Sequence, residues 1–280
     1  LYVYHNDTTP LQHIIHDSRN IQSLTNNIIW NIFADQEHNI WLGTDYGISL
    51  SRYNSALQFI PISQITGTGD GNQFYSLFRD SKGFYWFGGT NGLIRFTDPA
   101  GERHDTIWYR MGDKTYPLSH NRIRHIYEDK EQQLWIATDG SINRYDYATR
   151  QFIHYNIVDS TGMYNTNWTY YMFEDTAGQL WISTCLGGIF VVDKHKLMQS
   201  ASGQYVAEQN YSVHNGLSGM FINQIIPDNE GNVWVLLYNN KGIDKINPRT
   251  REVTKLFADE LSGEKSPNYL LCDEDGMLWV

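Results

Sequence analysis

The sequence predicts an all-β fold, a β-propeller of four-stranded antiparallel blades. Three observations carry that prediction: a repeat of about 45 residues, a strand–turn–strand grammar inside each copy, and a near absence of helical periodicity. The repeat shows most plainly in its tryptophans. Counting back six residues from Trp41, Trp86, Trp135, Trp181, Trp234 and Trp279 reaches Asp35, Asp80, Asp129, Asp175, Asp228 and Asp273 in turn. Successive tryptophans stand 45, 49, 46, 53 and 45 residues apart, a regularity that chance does not produce.

Within a copy the elements follow in a fixed order. An apolar strand precedes each Asp, as in Ile28-Ile29-Trp30-Asn31-Ile32-Phe33 or Ile123-Arg124-His125-Ile126-Tyr127. A tight turn follows, as in Asp80-Ser81-Lys82-Gly83 and Asp175-Thr176-Ala177-Gly178. Asp opens such a turn by accepting from its own backbone, and Gly three residues on takes the positive φ that tightens it. His38 and Gln132 stand where the other copies have that Gly, and looser turns are expected there. A second strand begins near the Trp, for example Trp135-Ile136-Ala137-Thr138, and runs to a short loop. A third (Ser141-Ile142-Asn143-Arg144-Tyr145-Asp146) and a fourth (Gln151-Phe152-Ile153-His154-Tyr155) close the unit. These runs are apolar without clean alternation, as strands covered on both faces should be. Only 192–202, inside the longest spacing, has room for a turn or two of helix.

This grammar divides the chain into a half-blade 1–20, five blades at about 21–65, 66–115, 116–160, 161–214 and 215–262, and a half-blade 263–280. If the end halves pair, the ring is six-bladed; otherwise they belong to a seven-bladed ring. The opening Leu1-Tyr2-Val3-Tyr4 already reads as strand, so the chain is expected to begin inside a larger protein.

Composition narrows the function. Hydrophobic residues make up 41% of the 280 and charged residues 19%, a globular balance, and the net charge is −10 with no Lys/Arg run. Nucleic acid and anionic membrane surfaces are therefore poor partners, since both demand a basic footprint. No apolar run reaches the length of a membrane span. Cys185 and Cys272 lie in different copies without a C-x-x-C motif and read as unpaired buried thiols.

The clearest copy, Asn121 to Asp146, contains Glu128-Asp129, Leu134-Trp135-Ile136-Ala137-Thr138-Asp139-Gly140 and Asn143-Arg144-Tyr145-Asp146. Asn167 to Asp193, with Glu174-Asp175, Leu180-Trp181-Ile182-Ser183-Thr184 and Gly188-Ile189, is a close second. The unit resembles the two-component regulator propeller repeat. That resemblance implies the periplasmic sensor region of a hybrid two-component histidine kinase/response regulator, with a signal peptide and membrane helix elsewhere in the parent protein. It further implies an oligosaccharide or other small ligand and a homodimer formed through the parent receptor. The fifth copy, Trp234-Val235-Leu236-Leu237-Tyr238-Asn239-Asn240, departs from the family pattern.

In a propeller the first strand of each blade lines the central channel, and the loops before strand one and after strand two share one end. Five residues before the repeat Asp stand Trp30, Tyr75, Arg124, Tyr170, Asn223 and Asn268, a position that varies among aromatic, Arg and Asn. Such side chains stack on sugar rings and bond hydroxyls or carboxylates. Arg122 and Trp168 are variable neighbours, and Asp45, Tyr46, Asn91, Asp139, Tyr238 and Asn239 follow strand two. Together these form the candidate ligand face; a channel wall packed by the same rings is the alternative.

Other motifs carry less. The repeat Asp sits at the opposite end, where turn chemistry accounts for it. Asp273-x-Asp275-Gly276 lacks the rest of a calcium-loop series. His13-x-x-His16 and His120-x4-His125 have odd spacings that put the rings on opposite strand faces. The glycine-rich 67–71 leads into a strand and not a helix, so no phosphate cradle is expected. No cofactor, metal or catalytic constellation is expected. Two alternative functions stay open: an interaction propeller without small ligand, and a propeller lyase using His125 as base.

Overall fold

The computed structural model describes residues 1–4, 10–53, 59–61, 73–97, 106–115, 117–200, 204–238, 242–256, 269–273 and 276–279. Asn239, Asn240, Asn268, Asp275 and the glycine-rich 67–71 segment lie outside them. Contacts divide the chain into two units, Leu1–Ile126 and Tyr127–Val280.

The fold is an all-β propeller. Its first unit holds a two-stranded pair, β1 (Tyr2–Tyr4) and β2 (Pro10–His13). Two four-stranded blades follow. The first comprises β3 (Ile29–Ala34), β4 (Ile40–Thr44), β5 (Gly47–Ser51) and β6 (Phe59–Pro61). The second comprises β7 (Phe74–Arg79), β8 (Tyr85–Gly89), β9 (Gly92–Phe96) and β10 (Ile107–Tyr109). Strands pair in chain order, each antiparallel to the one before. Trp41, Ile48 and Leu50 of the first blade pack against Phe74, Leu77, Tyr85, Phe87, Ile94 and Phe96 of the second. Both faces of β8 and β9 are buried along their whole length, which is why neither strand alternates in sequence.

The third blade starts with β11 (Ile123–Glu128), within which the division between units falls, and continues with β12 (Leu134–Thr138), β13 (Ser141–Asp146) and β14 (Gln151–Val158). The fourth is β15 (Thr169–Glu174), β16 (Gln179–Thr184), β17 (Ile189–Asp193) and β19 (Gln209–Tyr211). The fifth is β20 (Ile222–Pro227), β21 (Val233–Leu237), β22 (Ile243–Ile246) and β23 (Val253–Leu256). A two-stranded pair, β24 (Leu271–Cys272) and β25 (Leu278–Trp279), ends the described chain.

The long spacing in the fourth blade is an insertion with structure of its own. Helix α1 (Lys194–Gln199) starts at Asp193, whose side chain caps it by accepting from the Lys196 N–H. Strand β18 (Gln204–Val206) then pairs in parallel with β14, giving the third blade a fifth strand. Leu197 of the helix and Ala207 after the strand complete a core shared by the third and fourth blades, with Trp135, Tyr155, Ile182 and Phe190 at its centre. Lys194 is fully buried there. Its Nζ lies 3.2 Å from Asp129 Oδ2 and 3.0 Å from Glu174 Oε1, so one ammonium joins the hairpins of two blades.

The repeat Asp does more than open a turn. In the first copy Asp35 Oδ1 accepts the Asn39 N–H at 2.8 Å, while Oδ2 accepts the Trp41 indole N–H at 2.8 Å. The indole bond recurs in every copy: Trp86 to Asp80 at 2.7 Å, Trp135 to Asp129 at 2.8 Å, Trp181 to Asp175 at 2.9 Å, Trp234 to Asp228 at 3.1 Å and Trp279 to Asp273 at 2.7 Å. The D-x5-W frame is thus a hydrogen-bonded pair that ties the turn to the second strand. Burial pushes the Asp35 carboxyl up, but the bonds from Trp41, Asn39 and Tyr85 outweigh it and hold it below the usual carboxylate range.

The turns at His38 and Gln132 are not looser. Both residues adopt the left-handed conformation, with φ of 63° and 61°, and so mimic Gly83 at 88°. The closing bonds match as well: His38 N–H to Asp35 O at 3.0 Å, Gln132 N–H to Asp129 O at 2.9 Å and Gly83 N–H to Asp80 O at 2.9 Å. The aspartate and the indole behind it dictate the turn, and the third residue conforms. Of the two cysteines, Cys185 is buried and Cys272 only half-buried.

Candidate functional site

One feature of the first strands sets the candidate positions apart. The register between strands one and two slips between Ile29 and Asn31, between Phe74 and Ser76, between Thr169 and Tyr171, and between Ile222 and Gln224. Trp30, Tyr75, Tyr170 and Asn223 are therefore the extra residues of four β-bulges. A bulge turns its side chain out of the alternation of the strand, and bulges concentrate beside binding sites for that reason.

A second recurrent bond brings the two loops together. The residue two before each bulge accepts, through its carbonyl, an N–H from just after strand two. Asp45 N–H bonds Ile28 O at 3.0 Å, Thr90 bonds Gln73 at 3.0 Å, Cys185 bonds Trp168 at 2.9 Å and Tyr238 bonds Phe221 at 2.9 Å. Within each of these blades, the loop before strand one and the loop after strand two lie side by side.

In the first unit this architecture assembles a connected group. Trp30 is 50% exposed, and its indole N–H donates to Asp45 Oδ1 at 3.1 Å. The same oxygen accepts from Gln73 Nε2 at 2.6 Å, and the Tyr75 hydroxyl donates to Gln73 Oε1 at 2.6 Å. Trp30 and Tyr75 meet edge to face, with centroids 5.5 Å apart. The Arg124 guanidinium lies 5.6 Å from the Tyr75 ring centre. Among the described residues no donor reaches Asp45 Oδ2. Tyr46 is exposed beside Asp45, its N–H bonded to Thr44 Oγ1. Asn91 is exposed and its carbonyl accepts from Arg110 Nε at 3.3 Å, whereas the Arg122 N–H donates to His120 Nδ1 at 3.0 Å. The structure therefore unites Trp30, Asp45, Tyr75 and Arg124 and leaves Asn91 and Arg122 beside other partners. Gln73 was missed, although it occupies the repeat position of Arg122 and Trp168.

In the second unit Asp139 and Trp168 share a backbone bond, Trp168 N–H to Asp139 O at 3.0 Å. Tyr170 and Asn223 are half-buried on their bulges, and Tyr238 is exposed. A cavity of about 320 Å³ is lined by Met163, Tyr164, Asn165, Asn167, Trp168, Leu186 and Gly187. Leu186 escaped the sequence reading because it is neither aromatic nor polar, though it holds the repeat position of Tyr46.

No group of three or more His, Cys, Asp or Glu among the described residues could hold a metal ion, and no helix among them is long and apolar enough to cross a membrane. Desolvation lowers the His125 pKa to about 3, so its imidazole is neutral at ordinary pH.

With the repeats, bulged first strands and paired loops in view, the class is defined: the chain is a propeller of two-component regulator repeats. The two-component regulator propeller model matches residues 23–46, 68–91 and 117–140. At 96–97% identity the chain is similar to the extracellular domain of BT4673 from B. thetaiotaomicron, which one crystal structure names a one-component and another a hybrid two-component system. The TM-scores are 0.76 and 0.77, with 99% of this chain and 37% of that domain covered. The extracellular domain of the hybrid two-component system BT3049 from the same organism is 20% identical, with a TM-score of 0.70 over 95% of this chain and 33% of that one, and shares the fold. Virginiamycin B lyase from Staphylococcus aureus, 14% identical at a TM-score of 0.58 over 85% of this chain and 72% of its own, also shares the fold. The chain spans little more than a third of the BT4673 domain. No curated protein matches.

Proposed function

We propose that this chain is the ligand-sensing propeller of a hybrid two-component regulator, placed in the periplasm, that recognises an oligosaccharide and passes the signal to a histidine kinase elsewhere in the parent protein. The observation that carries the reading is the Trp30–Asp45–Gln73–Tyr75 group. A half-exposed indole, locked by its own N–H to a carboxylate, is a rigid platform for a sugar ring. Asp45 Oδ2 remains to accept a ligand hydroxyl, and the Arg124 guanidinium supplies donors at the edge of Tyr75.

Binding signals only where it discriminates between two arrangements of the receptor. A ligand that prefers one geometry of a receptor homodimer would shift the kinase between states. The lyase alternative is the weaker reading, since burial lowers the His125 pKa to about 3 and makes its imidazole a poor base. A net charge of −10 argues against nucleic acid as a partner, and membrane insertion would fall to another part of the protein.

The test is a thermal-shift screen of the complete extracellular domain against defined oligosaccharides. A ligand that binds the native state raises Tm by mass action. One glycan class should raise it, and Trp30→Ala or Asp45→Ala should abolish the rise. A shift with no glycan would move the function to protein docking.

A further inference from the structure

In the loop before its first strand the fourth blade differs from the first and second at one residue. Trp168 adopts a left-handed backbone, φ 55°, which Ile28 and Gln73 do not share at the same repeat position. The repeat does not demand this conformation, and a bulky side chain is the least suited to it. It is nonetheless fixed from both sides, by the Trp168 N–H to Asp139 O and by the Cys185 N–H to Trp168 O. The backbone closes in here: a Cβ on Gly187 would stand 2.7 Å from Asn165 O and 2.8 Å from the Phe190 ring.

The result is an indole 47% exposed at the cavity, flanked by Met163 and Leu186, exposed by 71% and 52%. Its N–H has no acceptor among the described residues, whereas Trp30 and the six repeat tryptophans all donate theirs to aspartates. Asn165 accepts the Asn167 N–H through Oδ1 at 3.0 Å, and among the described residues neither its amide NH2 nor the Asn167 side chain has a partner. Tyr164 turns its hydroxyl to His214 Nε2 at 3.5 Å. Among the described residues no side chain of Asp, Glu, Lys or Arg lines the cavity.

We propose that this cavity is a binding site for one uncharged pyranose ring, with Trp168 as the stacking platform and Asn165 and Asn167 as its hydroxyl partners. An aromatic plane ringed by unpaired amides and an indole N–H suits a ligand with one apolar face and a hydroxylated rim. A purely apolar side chain would desolvate those polar groups without pairing them. A charged sugar would find no counter-ion. The volume is at the small end for ligand pockets, on the order of a single ring with some water. For its class of ligand the inference rests on the sugar-sensing reading; its location does not.

The experiment is saturation-transfer NMR on the complete extracellular domain. The probes are the neutral methyl pyranosides of glucose, galactose, mannose and xylose, with glucuronate and a blocked Gly-Leu-Gly peptide as controls. Wild type is compared with Trp168→Ala, Trp168→Gly and Trp30→Ala, and Trp30→Ala with each Trp168 substitution added to it; the glycine variant accommodates φ 55° and guards against misfolding. In the Trp30→Ala background, which removes the other sugar platform, at least one neutral pyranoside should still give a signal that added salt does not weaken and that either Trp168 substitution reduces tenfold or more. Pyranoside signals that depend only on Trp30 would overturn this site and leave the sensing reading intact. Silence from every pyranoside would overturn this site, leaving the sensing reading to the oligosaccharide screen. A Trp168-dependent signal from glucuronate or the peptide, with none from the neutral sugars, would overturn the assigned ligand class.

Discussion

At the residue scale, the aspartate–tryptophan pair carries the greatest share of the fold's regularity. Each aspartate uses one carboxylate oxygen for backbone N–H groups of its turn and the other for the repeat indole, which is fully buried in the first four copies. Asp80 is typical: it accepts Lys82 and Phe84 N–H on Oδ1 at 3.0 and 2.8 Å, and the Trp86 indole on Oδ2 at 2.7 Å. Both residues are buried, so an unmade bond is not restored by water. Asp80→Asn keeps an acceptor for the turn but turns an NH2 toward the indole N–H. It should lower stability by about 1.5–3 kcal/mol, measured by urea denaturation. A loss under half a kcal/mol would mean that the turn bonds alone matter.

At the scale of elements, the hairpins at His38, Gly83 and Gln132 share one turn built on different residues. Gln132 is exposed and carries φ 61° without a glycine's freedom. Gln132→Gly should therefore stabilise the protein by about 0.5–1 kcal/mol. Gly83→Gln, where a Cβ meets nothing within 4 Å, should cost about 1 kcal/mol through backbone strain alone. The insertion of the fourth blade makes a stronger statement. Burial lowers the Lys194 pKa, but bonds to Glu174 and Asp129 more than reverse that, and the ammonium stays charged. Lys194→Met leaves two buried carboxylates facing each other's charge and should cost about 3–5 kcal/mol. The measurement is again urea denaturation, with Lys194→Arg as the charge-preserving control.

At the scale of the whole molecule, what the sequence made legible was whatever recurs. Six copies exposed the strands, the turns and the positions of Trp30, Tyr75, Tyr170 and Asn223, because a repeat holds each at a constant offset. Features that occur once stayed hidden. The parallel pairing of β18 with β14 involves three residues with no periodicity, and the left-handed backbone of Trp168 is announced by no local pattern. The protein's response to acid is likewise a sum of unlike sites. Asp35 and Asp228 have lowered pKa values, so their stabilisation is present above the unfolded value of about 4 and is lost as pH falls through their folded values. Burial raises Asp244 despite two bonds from Ser218, so its contribution has the opposite sign: it is present in acid and lost as pH rises through the folded value. His125 acts earliest on the way down. Its folded pKa of about 3 lies below an unfolded value of about 6.5, so below that value the unfolded chain takes up a proton that the native state refuses. Stability should then fall by as much as about 1.4 kcal/mol per pH unit from pH 6.5 toward 4, before the aspartates begin to titrate. His125→Gln removes the titration and should flatten that segment of the profile, while the steeper fall below pH 4 persists. Coincident slopes for the variant and the wild type between pH 6.5 and 4 would show that the native imidazole takes its proton as readily as the unfolded one.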